Sequence, residues 1–83
     1  MTTDQKINLE NLLNRYNRVS YKEHDMMLKY KKEGNVGKAK HAKFCSDLAY
    51  VYMDGIIETL RLLGYTIKWE YGDSGRFFHI NED

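Results

Sequence analysis

The sequence predicts an α+β fold: an antiparallel helical hairpin, residues about 3–33 and 36–63, followed by a two-stranded antiparallel β-hairpin, residues about 65–71 and 76–81. Three observations predict it. The chain contains no proline, the residue that most strongly interrupts helices. Apolar side chains recur at helical spacing from Leu9 to Leu63. Beyond Gly64 the apolar period shortens to two, the pattern of a strand with one apolar face.

The first helix opens on Thr2 and Gln5, which fit a capping box that satisfies free backbone N–H groups. Its apolar stripe is Leu9, Leu12, Leu13, Tyr16, Val19, Met26, Met27 and Tyr30. Asn17 to Tyr21 are middling helix formers, the weak point of the helix, where the sequence leaves a kink or break open. Gly34 suits the left-handed position after a helix, and Asn35 can cap the next one. Lys29, Lys31 and Lys32 complement the negative end of the helix dipole.

The second helix carries two stripes. One is Ala42, Cys45, Leu48, Ala49, Tyr52, Ile56, Leu60 and Leu63; the other is Tyr50, Met53, Ile57 and Leu60. A helix apolar on more than one side is buried on more than one side. The first helix can cover one side only, so the β-hairpin, a second subunit or a partner must cover the rest.

In the tail, Tyr65, Ile67, Trp69 and Tyr71 alternate with Thr66, Lys68 and Glu70, and Gly72-Asp73-Ser74-Gly75 reads as a turn. Symmetric closure pairs Tyr71 with Arg76, Trp69 with Phe78 and Ile67 with Ile80 on one face, so register and hydrophobic pattern agree. The opposite face is polar except for Phe77. A two-stranded sheet alone is marginal in water, so its apolar face is expected to pack on the apolar end of the second helix.

Size and composition bound the function. The 83 residues make one domain, 1–83. A chain of this length has a thin stability margin, which association with itself or with another protein relieves. Charge is nearly balanced, 13 Lys plus Arg against 12 Asp plus Glu, which argues against a globally basic nucleic-acid binder. The single cysteine, Cys45, excludes an internal disulfide and points to a reducing compartment. Neither a signal peptide at the N-terminus nor an apolar run of membrane-spanning length is seen. The expected location is the cytoplasm, without membrane attachment.

Chemistry-bearing constellations are sparse. His41 and Cys45, spaced i, i+4, could face one ion, but a zinc site needs four ligands, or three and a water. The reading is a small core residue at Cys45 and a surface His41, with no metal and no cofactor. The same pair lacks what activates a thiol nucleophile, and Asp54 with Glu58 reads as a solvated helix pair. No catalytic residue is assigned, and an enzyme is not expected. Lys29, Lys31, Lys32, Lys38, Lys40 and Lys43 gather at the interhelical turn, while Asp47, Asp54, Glu58, Glu70, Asp73, Glu82 and Asp83 lie C-terminal. The lysines could contact phosphates without reading sequence. Met26, Met27, Tyr50, Met53, Ile57 and Phe77 are the candidate residues for contact with another protein, since methionine adapts to irregular surfaces. Two copies burying their helical faces as a four-helix core would make a homodimer.

The stretch Gly64-Tyr65-Thr66-Ile67-Lys68-Trp69-Glu70-Tyr71, a helix end followed by an aromatic strand, in a proline-free chain rich in Lys, Asn and Tyr, resembles the short accessory proteins of phages and mobile elements of AT-rich Gram-positive bacteria. The resemblance implies binding without catalysis, in some cases inhibition of a host restriction or CRISPR component. It carries over no functional residue. The expected function is therefore a non-enzymatic protein-binding module, of the phage inhibitor or regulator kind. The alternative is a nucleic-acid-associated protein using the lysine-rich turn.

Overall fold

A computed structural model describes residues 1–72 and 75–82, and the side chains of residues 1–72 and 77–81. Helix α1 (Thr3–Lys32) and helix α2 (Val36–Leu62) form an antiparallel hairpin, and strands β1 (Tyr65–Gly72) and β2 (Gly75–Glu82) pair antiparallel behind it. The register is the one the hydrophobic pattern selects: Ile67 opposite Ile80, Trp69 opposite Phe78, Tyr71 opposite Arg76. The tip of the turn, Asp73 and Ser74, lies outside the described residues, as does Asp83.

The helix ends follow local chemistry. Gln5 N–H donates to the Thr2 hydroxyl at 3.1 Å, and Thr2 N–H donates to the Gln5 side chain at 2.9 Å, completing the capping box. Asn35 Oδ1 accepts from Lys38 N–H at 3.2 Å. Gly34 and Gly64 adopt φ of +76° and +93°. At Gly34 the exit is a Schellman motif, with Asn35 N–H reaching Tyr30 O at 2.8 Å and Gly34 N–H reaching Lys31 O at 3.1 Å.

The sequence leaves open whether α1 breaks at Asn17–Tyr21; the helix is continuous through that segment. Tertiary contact overrides the middling propensity there. Asn17 is 1% exposed, and Ser46 of α2 donates its hydroxyl to the Ser20 carbonyl at 2.9 Å. Val19, read from the sequence as part of the apolar stripe, points outward.

The buried line of α2 is Ala39, Ala42, Ser46, Ala49, Met53, Ile57 and Leu60. Its first half is small, so the helices lie close; its second half is large and builds the main core. That core joins Leu13 of α1, Met53, Ile57 and Leu60 of α2, and Ile67, Phe78 and Ile80 of the sheet. A lesser cluster of Met27, Ala39 and Ala42 sits near the interhelical turn. Between the two lies the polar layer of Asn17, Ser20 and Ser46.

The β-hairpin packs on both helices rather than on α2 alone: β1 lies against α2 and β2 against α1. Two α1 side chains reach the outer edge of β2. Phe78 N–H donates to Asn14 Oδ1 at 2.7 Å, and Ile80 N–H donates to Glu10 Oε1 at 2.9 Å. Trp69, on the sheet face expected to pack on the second helix, is 46% exposed, its ring tilted against Phe78 at a centroid distance of 6.4 Å.

Candidate functional site

With α1 and the β-hairpin in place, one side of α2 is still open. Phe44, Leu48, Val51, Tyr52, Leu62 and Leu63 are all exposed, Val51 by 61% and Leu62 by 87%. At 100° per residue Phe44, Leu48, Val51 and Leu62 fall on the side of the helix opposite the buried line, with Tyr52 and Leu63 on its flank. They run along nearly the whole second half of α2 and continue past its end. Leu9 of α1 meets Val51, Tyr52, Ile56 and Leu63 around a groove of about 540 Å³.

Gly55 forms part of the groove, and a Cβ built there meets nothing within 4 Å. The floor is therefore low enough for another backbone to approach closely. Tyr52 also stacks at a tilt on Tyr16, 5.7 Å between centroids, which ties the α1 border in place. The other border is acidic: Asp47, Asp54 and Glu58 are exposed along α2, with Glu58 bonded to Arg61 at 3.1 Å.

The residues expected to meet another protein separate into two groups. Met27, Met53 and Ile57 belong to the chain's own core, Met27 against Ala39 and Ala42 of α2, Met53 and Ile57 against Leu13 of α1 and the β-hairpin. Met26 is half-buried beside Tyr30, Tyr50 is exposed next to Trp69, and the Phe77 ring lies over Gly72 on the outer face of the sheet. These three do not form one surface. The open face is built instead from Leu48, Tyr52 and Leu63, which the sequence assigns to a core stripe, together with Phe44, Val51 and Leu62. The signal that marks it is the existence of two apolar stripes on one helix. Which of the two stays open depends on where the β-hairpin docks, and the periodicity of α2 carries no information about that.

All six turn lysines, Lys29, Lys31, Lys32, Lys38, Lys40 and Lys43, are exposed. They do not share one face. Lys31, Lys40 and Lys43 rim a shallow hollow floored by Met27, Val36 and Ala39. Lys38 lies on the other side, its ammonium 5.6 Å from the Tyr30 ring centroid.

His41 Nε2 and Cys45 Sγ meet at 3.6 Å on the exposed side of α2. Among the described residues no group of three or more His, Cys, Asp and Glu side chains is placed to hold a metal ion. No helix of the described residues is long and apolar enough to cross a membrane. No protein-family model, curated protein sequence or solved structure matches the chain.

Proposed function

We propose that this chain is a non-catalytic protein-binding module whose open α2 face receives an amphipathic helix of another protein. The carrying observation is the apolar line from Phe44 to Leu63, exposed along one side of α2. Contiguous apolar surface on a small soluble fold usually marks an interaction site. A helix laid in a groove is a recurrent way of filling such a surface. The low floor at Gly55 lets the incoming helix approach, and Asp47, Asp54 and Glu58 favour basic residues along one of its borders. A module of this kind acts by occupying its partner's helix. That fits an inhibitor or regulator of the phage-accessory kind, which the sequence resembles.

The test uses a photoreactive amino acid at Val51 and, as control, at Lys22 on α1. In extract of the source cells, position 51 is expected to give a discrete protein adduct that position 22 does not, and Leu48→Asp is expected to abolish it. Identical adducts from both positions, or none from either, reject the proposal. Val51→Asp should leave the stability of the chain itself within about 0.5 kcal/mol, because the side chain is already in water.

A second reading has its own support. The exposed lysines concentrate at one end of the rod, where they could contact nucleic-acid phosphates. Because they split between two sides, a duplex engages about three at once. The logarithm of the binding constant should then fall against the logarithm of salt with a slope of about −3. A labelled duplex that stays unbound at the lowest salt rejects this reading.

A further inference from the structure

The two edges of the β-hairpin are not equivalent. On β2 the N–H groups of Phe78 and Ile80 donate to Asn14 and Glu10 of α1, so they point away from β1. In an antiparallel ladder such residues belong to the pairs that exchange no hydrogen bonds, and both members of each pair turn their backbone groups outward. Their partners across the ladder are Trp69 and Ile67, and Tyr71 follows in the same alternation. The N–H and C=O of Ile67, Trp69 and Tyr71 therefore face the outer edge of β1. Among the described residues no group hydrogen-bonds to them there. One edge is closed by α1 and the other is open.

An open edge is a template for another strand, and proteins that avoid pairing blunt such edges with proline, a bulge or charged side chains. β1 has no proline and its pairing register contains no bulge; its edge charges are Lys68 and Glu70, the latter 4.0 Å from His79 Nε2 of β2. Trp69 and Tyr71 are exposed along it, Tyr71 by 79%.

We infer that β1 pairs antiparallel with β1 of a second copy of this chain, about a two-fold axis through Trp69, giving a continuous four-stranded sheet. The charges select both the occupant and the register. A two-fold at Lys68 or at Glu70 sets like charges directly opposite, which opposes pairing. A two-fold at Ile67 falls where the strand is buried, and one at Tyr71 runs off its end after Gly72. The axis at Trp69 places Lys68 opposite Glu70 of the second copy, twice, on the outer face. On the other face it stacks Trp69 on its symmetry mate and sets Ile67 against Tyr71. The outward N–H and C=O of Trp69 then bond to those of the second Trp69. This joint uses none of the open α2 face and goes beyond the function proposed above. It is a small interface, and small interfaces associate weakly, so the exchange is expected in the micromolar range.

The experiment is light scattering coupled to size exclusion, and sedimentation, across a wide concentration series. Trp69 is the single tryptophan, so its emission reports the same joint. A monomer–dimer equilibrium is expected. K68E and E70K, each of which sets like charges opposite in both halves of the joint, should each raise the dimer Kd by roughly tenfold or more. Mixing the two single variants restores opposite charge at both positions and should yield a heterodimer of wild-type affinity. The double variant K68E/E70K should dimerise like the wild type. Circular dichroism confirms that each variant is folded, and the double variant decides the matter if a single one is not. Val51→Asp should leave the dimer intact, which separates this joint from the α2 face. A chain that is monomeric at all concentrations overturns the inference. So does a dimer indifferent to both reversals, or one that the double variant fails to form.

Discussion

Asn14 sits on a helix yet serves a strand. Its Oδ1 accepts from Phe78 N–H at 2.7 Å, and its Nδ2 lies 3.5 Å from Phe78 O. One side-chain amide thus stands in for the neighbouring strand that β2 lacks. Removing a partner from a part-buried backbone bond costs about 1–3 kcal/mol, so Asn14→Ala is expected to lower stability by that amount in urea unfolding. A change below a few tenths would show that Asn14 is incidental to the docking of the hairpin. Glu10 has the equivalent role at Ile80, through one oxygen. Gly64 is a second sensitive residue. At φ +93° a side chain is strained even though nothing crowds the position. Gly64→Ala should cost about 1 kcal/mol, read as a lower urea midpoint with unchanged m-value.

At the scale of elements, the local signals in the sequence were sufficient. The Thr2–Gln5 box, the glycines at 34 and 64, and the change of period at Tyr65 set the boundaries of all four elements to within a residue or so. The pairing of Ile67 with Ile80 followed from symmetric closure of the turn together with the alternation. What was not legible depended on contacts between elements. Asn17 to Tyr21 reads as a weak point because propensity is local, whereas Ser46 and the burial of Asn17 hold that segment from α2. Ala39 and Ser46 escaped the apolar stripe because they are small or polar, though their size is what lets the helices approach. The candidate surface was legible only as a surplus, more apolar stripe on α2 than α1 can cover. Met53 and Ile57 turned inward because β1 lies over them, and Val51 and Leu62 turned outward by the same rotation.

At the scale of the molecule, the chain is a rod. Its principal extents are 48 × 24 × 17 Å and its radius of gyration is 14.9 Å, against about 12 Å expected for a compact chain of this length. A rod of this kind has much surface for its volume, and most of its large buried side chains lie at the sheet end. Phe78 is central to that end, 2% exposed. Phe78→Ala should cost about 3–5 kcal/mol, enough to unfold much of the population at 37 °C in a domain of ordinary marginal stability. Substituting Phe77, its neighbour on the outer face, should cost far less. A comparison of the two thermal midpoints checks which face of the sheet the fold depends on.

The polar layer of Asn17, Ser20 and Ser46 has a consequence for motion. It separates the strong cluster at the sheet end from the lesser one of Met27, Ala39 and Ala42, so the two ends are expected to open separately. The lysine-bearing tip is then expected to open while the rest stays closed, at a free energy below that of global unfolding. Amide hydrogen exchange should show this as a step. Protection should be low from about residue 26 to 42 and high around Leu13, Ile57 and Ile80, with the change falling near Ser20 and Ser46. Uniform protection along both helices would mean that the layer couples the clusters instead of dividing them. If the step is found, the charged tip is a hinged element on a fixed base, free to adjust its lysines to whatever anionic surface it meets.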